Sequence, residues 1–166
     1  MDTRSLMSVE EYLHTSFDDA DREYLDGEVV ERNMGELPDA QIKAEGTNPL
    51  CGDEMSFWVK LSGDRIERVG FTGKGCAISQ ASASMFTEQL KGKTLQELHG
   101  LIAAMKRLMQ GEAPNPSVDL GDLESLEGVR KFPVRVKCAA LSWNVLEQGL
   151  EGYQETTHGA DRATSA

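Results

Sequence analysis

The sequence predicts an α+β fold, and three observations lead to this prediction. Two β-leaning runs, Ser56 to Leu61 and Ile66 to Phe71, are joined by a Gly-containing turn and are expected to pair as an antiparallel hairpin. Apolar residues recur at helical spacing further along the chain. The length of 166 residues fits one compact domain with a hydrophobic core and looser ends.

Three helices are expected after this hairpin. The first, AISQASASMFTEQL, follows the Gly-rich loop that leads to Cys76, and its small residues allow close packing. The second begins at a capping box of Thr94 and Glu97 and continues to about Met109. The third begins near Pro133, which suits a first helical turn. Its expected apolar stripe consists of Val134, Cys138, Leu141, Val145 and Leu146.

The remaining segments are expected to be short elements, loops or tails. The run REYLDGEVVERN predicts a small hairpin around Asp26-Gly27. Residues 39–48 are polar and predict an extended or turning backbone. Residues 110–128 predict a loop with one helical turn. The stretch after Leu150 has no apolar pattern to bury, so a disordered tail is expected at residues 151–166.

Composition and charge exclude several classes of function. A formal net charge of -11 would repel a phosphate backbone, so nucleic acid is not an expected partner. No apolar run approaches the roughly 20 residues of a spanning helix, so no membrane insertion is expected. The start carries acidic residues where a signal peptide would have its apolar core. A cytoplasmic location is therefore expected.

The three cysteines are the candidates for chemistry. An odd number of thiols in a reducing compartment argues against a disulfide framework. Cys51 and Cys76 lie in Gly-containing loops at the ends of elements, which favours a metal-binding or nucleophilic role. Asp53, two positions after Cys51, adds a carboxylate, and Cys138 lies on the last predicted helix. The spacing alone leaves metal binding and ordinary buried packing as open interpretations.

Three motifs add a resemblance to a known family. NPLCGD, FTGKGCAISQASASM and GVRKFPVRVKCAALSW closely resemble the U-type iron-sulfur assembly proteins of the SUF system, which are related to the IscU and NifU N-terminal scaffolds. The resemblance extends from about Gly35 to about Gln148. It implies a small antiparallel β-sheet covered by helices, in agreement with the elements above. The corresponding domain division is a divergent N-terminal segment at 1–38, a SufU/IscU-like domain at 39–150 and the tail at 151–166.

The resemblance also implies a ligand set. Carried over by matching position, the metal ligands are Cys51, Asp53, Cys76 and Cys138. The implied ion is zinc, with iron or a [2Fe-2S] cluster as the alternative. From the residues alone, a capping or solvent-facing role for Asp53 would be favoured over metal ligation.

Two features favour the SufU branch of the family. IscU-type scaffolds have a histidine immediately before the third cysteine, whereas this chain has Lys137. Residues 110–128 resemble the insertion of SufU-type members. The branch implies a zinc-dependent sulfurtransferase that works with a cysteine desulfurase of SufS type and with downstream SUF cluster-assembly proteins. Alternatives are a scaffold that builds a [2Fe-2S] cluster on the same ligands and a non-enzymatic zinc-structured activator of the desulfurase.

In the sulfurtransferase hypothesis, Cys51 accepts the sulfur, because it lies in a flexible loop whereas Cys138 is held on a helix. Arg135, near Cys138, is a candidate supporting charge that could stabilise a departing thiolate, or it is an ordinary surface residue. The N-terminal residues, about 1–36, resemble the start of Uma2-type proteins of a nuclease-like superfamily. The catalytic residues of those proteins lie further along, in sequence that is absent here, so no nuclease activity is expected.

Overall fold

A computed structural model describes residues 22–25, 28–31 and 35–163 of the chain. In these parts, two antiparallel sheets are followed by a helical layer. The strands are β1 (Arg22–Leu25), β2 (Glu28–Glu31), β3 (Ile42–Asn48), β4 (Asp53–Ser62) and β5 (Arg65–Lys74). The helices are α1 (Ala77–Leu90), α2 (Leu95–Gln110), a 3-10 helix (Gly121–Lys131) and α3 (Pro133–Ala163). The predicted α+β fold, a small antiparallel sheet covered by helices, is confirmed.

The larger sheet has the strand order β3-β4-β5. The predicted hairpin is confirmed as β4 and β5, each longer than expected. Its buried face includes the cross-strand pair Phe57 and Phe71, whose ring centroids are 6.0 Å apart. The third strand, β3, was expected only as extended or turning backbone. It was missed because its inward positions include Ala44 and Gly46, which give little hydrophobic alternation.

Helix α3 packs directly on β3, and two glycines make this close approach possible. A Cβ added at Gly46 would lie 2.5 Å from Val145 Cγ2, and one added at Gly149 would lie 2.7 Å from the Ala44 Cβ. Any larger side chain at these positions would push the helix away from the sheet. The glycines therefore fix the distance between α3 and the sheet.

Helices α1 and α2 agree with the sequence prediction. The Thr94 hydroxyl accepts a hydrogen bond from the Glu97 amide at 3.1 Å, and the Glu97 carboxylate accepts one from the Thr94 amide at 2.7 Å. Gly111 ends α2 in a left-handed conformation with φ 82°. Helix α1 packs on α3 through a contact of Phe86 with Trp143. The helices are thus stabilised by local capping and by tertiary packing.

The segment between α2 and α3 is more ordered than its sequence indicated. Instead of a loop with one helical turn, it contains the eleven-residue 3-10 helix. The apolar residues that suggested the turn are all buried against the core: Leu120, Leu123 and Leu126. The spacing of three residues between them matches the 3-10 period, which explains the extended 3-10 conformation.

Helix α3 begins at Pro133 as predicted, but two expectations about it require correction. Val134 is exposed instead of belonging to the buried stripe, because it lies in the first turn, beyond the edge of the core. The tail predicted as disordered at residues 151–166 is helical as far as Ala163. Tyr153 continues the packing against the core, and Thr157 donates to the Tyr153 carbonyl at 3.0 Å, so the helix does not stop at Leu150.

The predicted N-terminal hairpin is present as the β1–β2 pair, in which Leu25 is the partner of Glu28. Most of the segment that resembles Uma2-type proteins lies outside the described residues. None of the helices in the described part of the chain has the length and apolar character needed to cross a bilayer.

Candidate metal and sulfur site

Cys51 lies in the tight loop between β3 and β4. Asn48 and Asp53 pair across the end of the hairpin, and the Asn48 carbonyl accepts hydrogen bonds from the amides of Cys51 at 3.3 Å and Gly52 at 2.8 Å. Gly52 has φ 72°, which favours glycine over residues with a Cβ. The loop therefore holds Cys51 exposed at its tip and Asp53 buried at the start of β4.

Three predicted ligands converge at this end of the sheet. The ligand atoms of Cys51, Asp53 and Cys138 all lie within 4.8 Å of one another. The sulfur atoms of Cys51 and Cys138 are 3.8 Å apart. Two thiolates bound to one tetrahedral zinc, each with a Zn–S bond of about 2.3 Å, would also be about 3.8 Å apart. The spacing of these thiols thus fits a tetrahedral metal ion.

The Asp53 carboxylate is buried, and one of its two oxygens is unpaired in the described part of the chain. Its Oδ2 atom is buried and has no hydrogen-bond partner within the described residues. Burial raises the pKa of Asp53, but hydrogen bonds from the Cys51 thiol, the Ser79 hydroxyl and Cys76 outweigh it, so the pKa lies below its usual value. The carboxylate is therefore ionised at neutral pH, and a buried anionic oxygen without a partner suits a cation.

Cys76 adjoins the three-residue group without being a member of it. It is the N-cap residue of α1, as the sequence predicted. Burial raises the pKa of its thiol, but hydrogen bonds involving the amide and hydroxyl of Ser79, the Cys138 thiol and the Ile78 amide outweigh this effect, and the pKa is lowered. Its interactions with both Asp53 and Cys138 place it next to the site.

The Cys138 thiol differs from the Cys76 thiol, because its pKa is raised and not lowered. Burial, followed by hydrogen bonding with Cys76 and Cys51, raises the pKa of its thiol to about 11. The thiol also lies 3.9 Å from the Val134 carbonyl one turn earlier in α3. Without a metal, Cys138 is therefore protonated at neutral pH, and a bound cation would have to displace that proton.

Ser79 and Gly75 complete the surroundings of the site, although neither was singled out from the sequence. Ser79 is fully buried in the first turn of α1, and its hydroxyl donates to the Cys76 carbonyl at 3.0 Å. A Cβ added at Gly75 would lie 2.6 Å from Ser79 Oγ and 2.7 Å from Asp53 Cγ. The absence of a side chain at Gly75 lets the carboxylate and the hydroxyl approach each other.

Exposed apolar and basic side chains lie close in sequence to Cys51 and Cys138, although the chain as a whole is acidic. The large hydrophobic side chains that remain exposed in the described residues are Leu50 at 67%, Phe132 at 61% and Val134 at 69%. Each is close in sequence to Cys51 or Cys138. Arg135 and Lys137 are also exposed, and within the described residues the Arg135 guanidinium makes no hydrogen bond or ion pair.

The fold and the thiol-rich site define a small α+β domain that gathers cysteines from a loop and two helices at one end of its sheet. The NifU-like N-terminal domain family matches residues 25–139, which is more than half of the chain. The chain therefore belongs to the NifU-like N-terminal domain family. The match begins at Leu25, within residues 1–38, which were predicted to be a divergent N-terminal segment.

Named relatives agree with this membership. The chain is 47% identical over 119 residues to the zinc-dependent sulfurtransferase SufU of Bacillus subtilis, covering 72% of this chain and 80% of that protein. It is 40% identical over 115 residues to the iron-sulfur cluster assembly scaffold protein IscU of Streptococcus pyogenes, covering 69% and 72%. The resemblance stated from the three motifs is thus confirmed.

A solved structure supports the same conclusion. The crystal structure of a candidate iron-sulfur cluster assembly scaffold protein for the SUF system from Fervidobacterium islandicum AW-1 superposes with a TM-score of 0.67 at 39% identity. The superposition covers 70% of this chain and 85% of that chain. The sheet and its helical cover are therefore shared with that protein.

Proposed function

We propose that this chain serves iron-sulfur cluster assembly of the SUF type as a zinc-dependent sulfurtransferase that accepts sulfane sulfur on Cys51 from a cysteine desulfurase. The proposed zinc ligands are Cys51, Asp53, Cys76 and Cys138. The observation that carries the proposal is the convergence of Cys51, Asp53 and Cys138, with a sulfur–sulfur distance of 3.8 Å and a buried carboxylate oxygen that has no partner. The similarity to the sulfurtransferase of Bacillus subtilis supports zinc as the metal.

The proposed sulfur transfer involves only this protein and the desulfurase. The Cys51 thiolate attacks the outer sulfur of a persulfide on the desulfurase. A new S–S bond forms on Cys51, the bond between that sulfur and the desulfurase cysteine breaks, and the desulfurase leaves as a thiolate. No external oxidant or reductant is needed, because the sulfane sulfur keeps its oxidation state. Zinc, when bound, would favour the thiolate form of its cysteine ligands at neutral pH.

Cys51 is the best placed of the three thiols for this reaction. It is exposed on a four-residue loop, whereas Cys138 is buried in a helix and Cys76 caps another helix. An attacking persulfide can reach an exposed loop residue without unfolding the core. Three thiolates and one carboxylate around a doubly charged cation would carry a surplus of negative charge, which favours release of one thiolate. The exposed loop makes Cys51 the ligand that leaves most easily.

The surface around Cys51 suits a protein partner. Leu50 is adjacent to Cys51, and Phe132 and Val134 precede Cys138, so exposed apolar side chains lie close in sequence to two of the thiols. Exposed hydrophobic side chains at one site are typical of a protein–protein contact. Arg135, exposed three residues before Cys138, would add a positive charge that stabilises the departing thiolate of the partner. A cysteine desulfurase is therefore the partner we propose for this surface.

The test combines metal analysis with sulfur loading. The protein is purified without added metal, zinc and iron are measured per chain, and the protein is then incubated with a cysteine desulfurase and cysteine. We expect about one zinc per chain and a persulfide on Cys51 that peptide mass spectrometry locates. Cys51→Ser should abolish the loading, and Arg135→Ala should slow it. Loading of Cys51→Ser at the wild-type rate would refute the choice of acceptor.

The scaffold alternative rests on the similarity to the IscU protein of Streptococcus pyogenes, which is named as a scaffold. It predicts a brown protein with a bound iron-sulfur cluster and little zinc after anaerobic purification. An activator with purely structural zinc predicts that Cys51→Ser destabilises the fold without selectively abolishing sulfur acceptance. The same purification and loading experiment therefore separates the three functions.

A further inference from the structure

Ser79 lies where the two halves of the candidate site meet. Asp53 belongs to the sheet, whereas Cys76 belongs to the start of α1, and no covalent constraint fixes their separation. The Ser79 side chain lies beside both: its oxygen is 3.8 Å from Cys76 Sγ. Ser79 Oγ and Asp53 Oδ1 also border the same space at Gly75, where an added Cβ would lie 2.6 Å from the first atom and 2.9 Å from the second. It is fully buried, so water does not compete for these contacts.

The Ser79 hydroxyl has one proton, and it donates this proton to the Cys76 carbonyl at 3.0 Å. Because a hydroxyl can rotate, the same proton could turn towards the Asp53 carboxylate on the other side of the space at Gly75. The two oxygens of the Asp53 carboxylate have different surroundings. Oδ1 is the oxygen nearest to the space beside Gly75 and Ser79, whereas Oδ2 is the buried oxygen without a partner in the described residues. A hydrogen bond to one oxygen would orient the other.

We propose that Ser79 is a positioning residue for metal binding, whose hydroxyl holds the Asp53 carboxylate and the first turn of α1 at the separation that one shared cation requires. The inference rests on the proposed metal site and adds a residue that is not itself a ligand. Groups that hydrogen-bond to metal ligands fix ligand orientation, and their removal typically weakens metal binding by about 10- to 100-fold. Ser79 meets this description for two ligands from different elements.

Ser82 provides a matched control on the same helix. It is also a fully buried serine, one turn further along α1, and its hydroxyl donates to the Ala139 carbonyl at 2.9 Å. Ser82→Ala therefore removes one buried hydrogen bond to a neighbouring element without removing any contact to Cys51, Asp53, Cys76 or Cys138. A purely structural role for Ser79 would make the two alanine variants behave alike.

The experiment compares wild type, Ser79→Ala and Ser82→Ala, all metal-free and reduced. Zinc affinity is measured by competition with a chromophoric chelator, and Co²⁺ is added separately to record its absorption spectrum. We expect Ser79→Ala to bind zinc at least about tenfold more weakly and to show an altered Co²⁺ spectrum. Ser82→Ala should match the wild type in both measurements. Ser79→Thr, which returns the hydroxyl, should recover most of the affinity.

Folding is separated from binding by measuring the stability that zinc adds. A tenfold weaker affinity lowers the zinc-dependent gain in unfolding free energy by about 1.4 kcal/mol at saturating zinc. Equal affinity and an unchanged Co²⁺ spectrum in Ser79→Ala would refute the inference while leaving the metal site intact. Failure of the wild type to bind zinc would instead refute the proposed function.

Discussion

The sulfur of Cys51 lies 3.8 Å from the sulfur of Cys138, although 87 positions separate the two residues in the chain. One thiol is exposed on a hairpin loop and the other is buried in α3. This proximity depends on the packing of α3 against β3 and on the loop that follows Asn48. At this distance, the two sulfurs can react with each other in the metal-free protein.

Oxidation should therefore join these two thiols first. Treating the metal-free protein with hydrogen peroxide is expected to form a disulfide between Cys51 and Cys138, with loss of both thiol hydrogens and reduction of the peroxide to water. Mass spectrometry of non-reduced peptides identifies the linkage. Zinc should slow the reaction, because ligation occupies both sulfurs.

Two variants check this assignment. Cys76→Ser should still form the disulfide, whereas Cys51→Ser should not form one of comparable yield. A dominant linkage between Cys51 and Cys76 would contradict the geometry.

The stability of the metal-free protein should fall at alkaline pH because of Cys138. Burial and the neighbouring thiols raise its pKa from 9.0 to about 11 in the folded state. The folded protein thus retains the Cys138 proton at pH values where the unfolded chain has lost it. The contribution of this thiol is fully present below about pH 9 and is lost as the pH rises to about 11. Urea unfolding in the presence of a chelator measures this decline.

Cys138→Ala isolates the effect, since other groups also titrate at alkaline pH. The unfolding free energy of wild type should fall more steeply than that of the variant across this range. Parallel curves would mean that Cys138 has an ordinary pKa in the folded protein.

Removing the charge of Asp53 should weaken metal binding. Asp53→Asn keeps the size of the side chain but replaces an anionic oxygen with a neutral amide, and we expect zinc affinity to fall by about 100-fold. Competition with a chelator measures the change. Asp39→Asn is the control: this carboxylate pairs at 2.7 Å with Lys60, which lies near the opposite end of β4 from Asp53, and its loss should leave zinc affinity unchanged. Equal zinc affinity in both variants would exclude Asp53 as a ligand.

Gly75 should not tolerate even an alanine. Its added Cβ would lie 2.6 Å from Ser79 Oγ and 2.7 Å from Asp53 Cγ, so the carboxylate must move. We expect Gly75→Ala to cost about 1–3 kcal/mol of stability and to weaken zinc binding. Thermal unfolding and chelator competition measure the two effects.

The matched substitution is Gly100→Ala in α2, where the added Cβ meets only Val118 Cγ2 at 4.0 Å. It should stabilise the protein by about 0.5–1 kcal/mol, because alanine is the better helix former. If Gly75→Ala behaves in the same way as this control, the close packing around the carboxylate is not important.

The sequence was sufficient to predict the hairpin β4–β5, the start of each α-helix in the described residues, and the elements near which the thiols lie. These features depend on local signals: β-branched and aromatic runs, the capping box at Thr94 and Pro133 at a first turn. Strand β3 could not be predicted in this way, because Gly46 and Ala44 have low strand propensity and their small size instead accommodates the approach of α3. Likewise, the continuation of α3 beyond Leu150 was not predicted, because the sequence there has no apolar pattern. In the structure, Tyr153 packs against the core and stabilises the next turn of the helix.

The candidate site was predictable in part. The motifs around Cys51, Cys76 and Cys138 resembled a known family, and the structure brings two of these thiols into a group with Asp53. Ser79 was not distinguishable from the other small residues of α1, because its proposed role depends on its position beside a carboxylate of a distant strand. Contacts of that kind depend on the folded arrangement and leave no periodic signal in the sequence.

The close contact of Gly149 with Ala44 has a consequence for interpreting variants of this protein. Cys138 lies in the same helix, about three turns before Gly149. If a larger side chain at residue 149 displaces α3 from Ala44, the helix is expected to tilt and to carry Cys138 with it. A substitution at Gly149 would touch no thiol, yet it would move the Cys138 sulfur relative to Cys51. In a genetic screen, such a variant would be classified with the cysteine mutants, and only a measurement of the distance between the thiols would reveal its different origin.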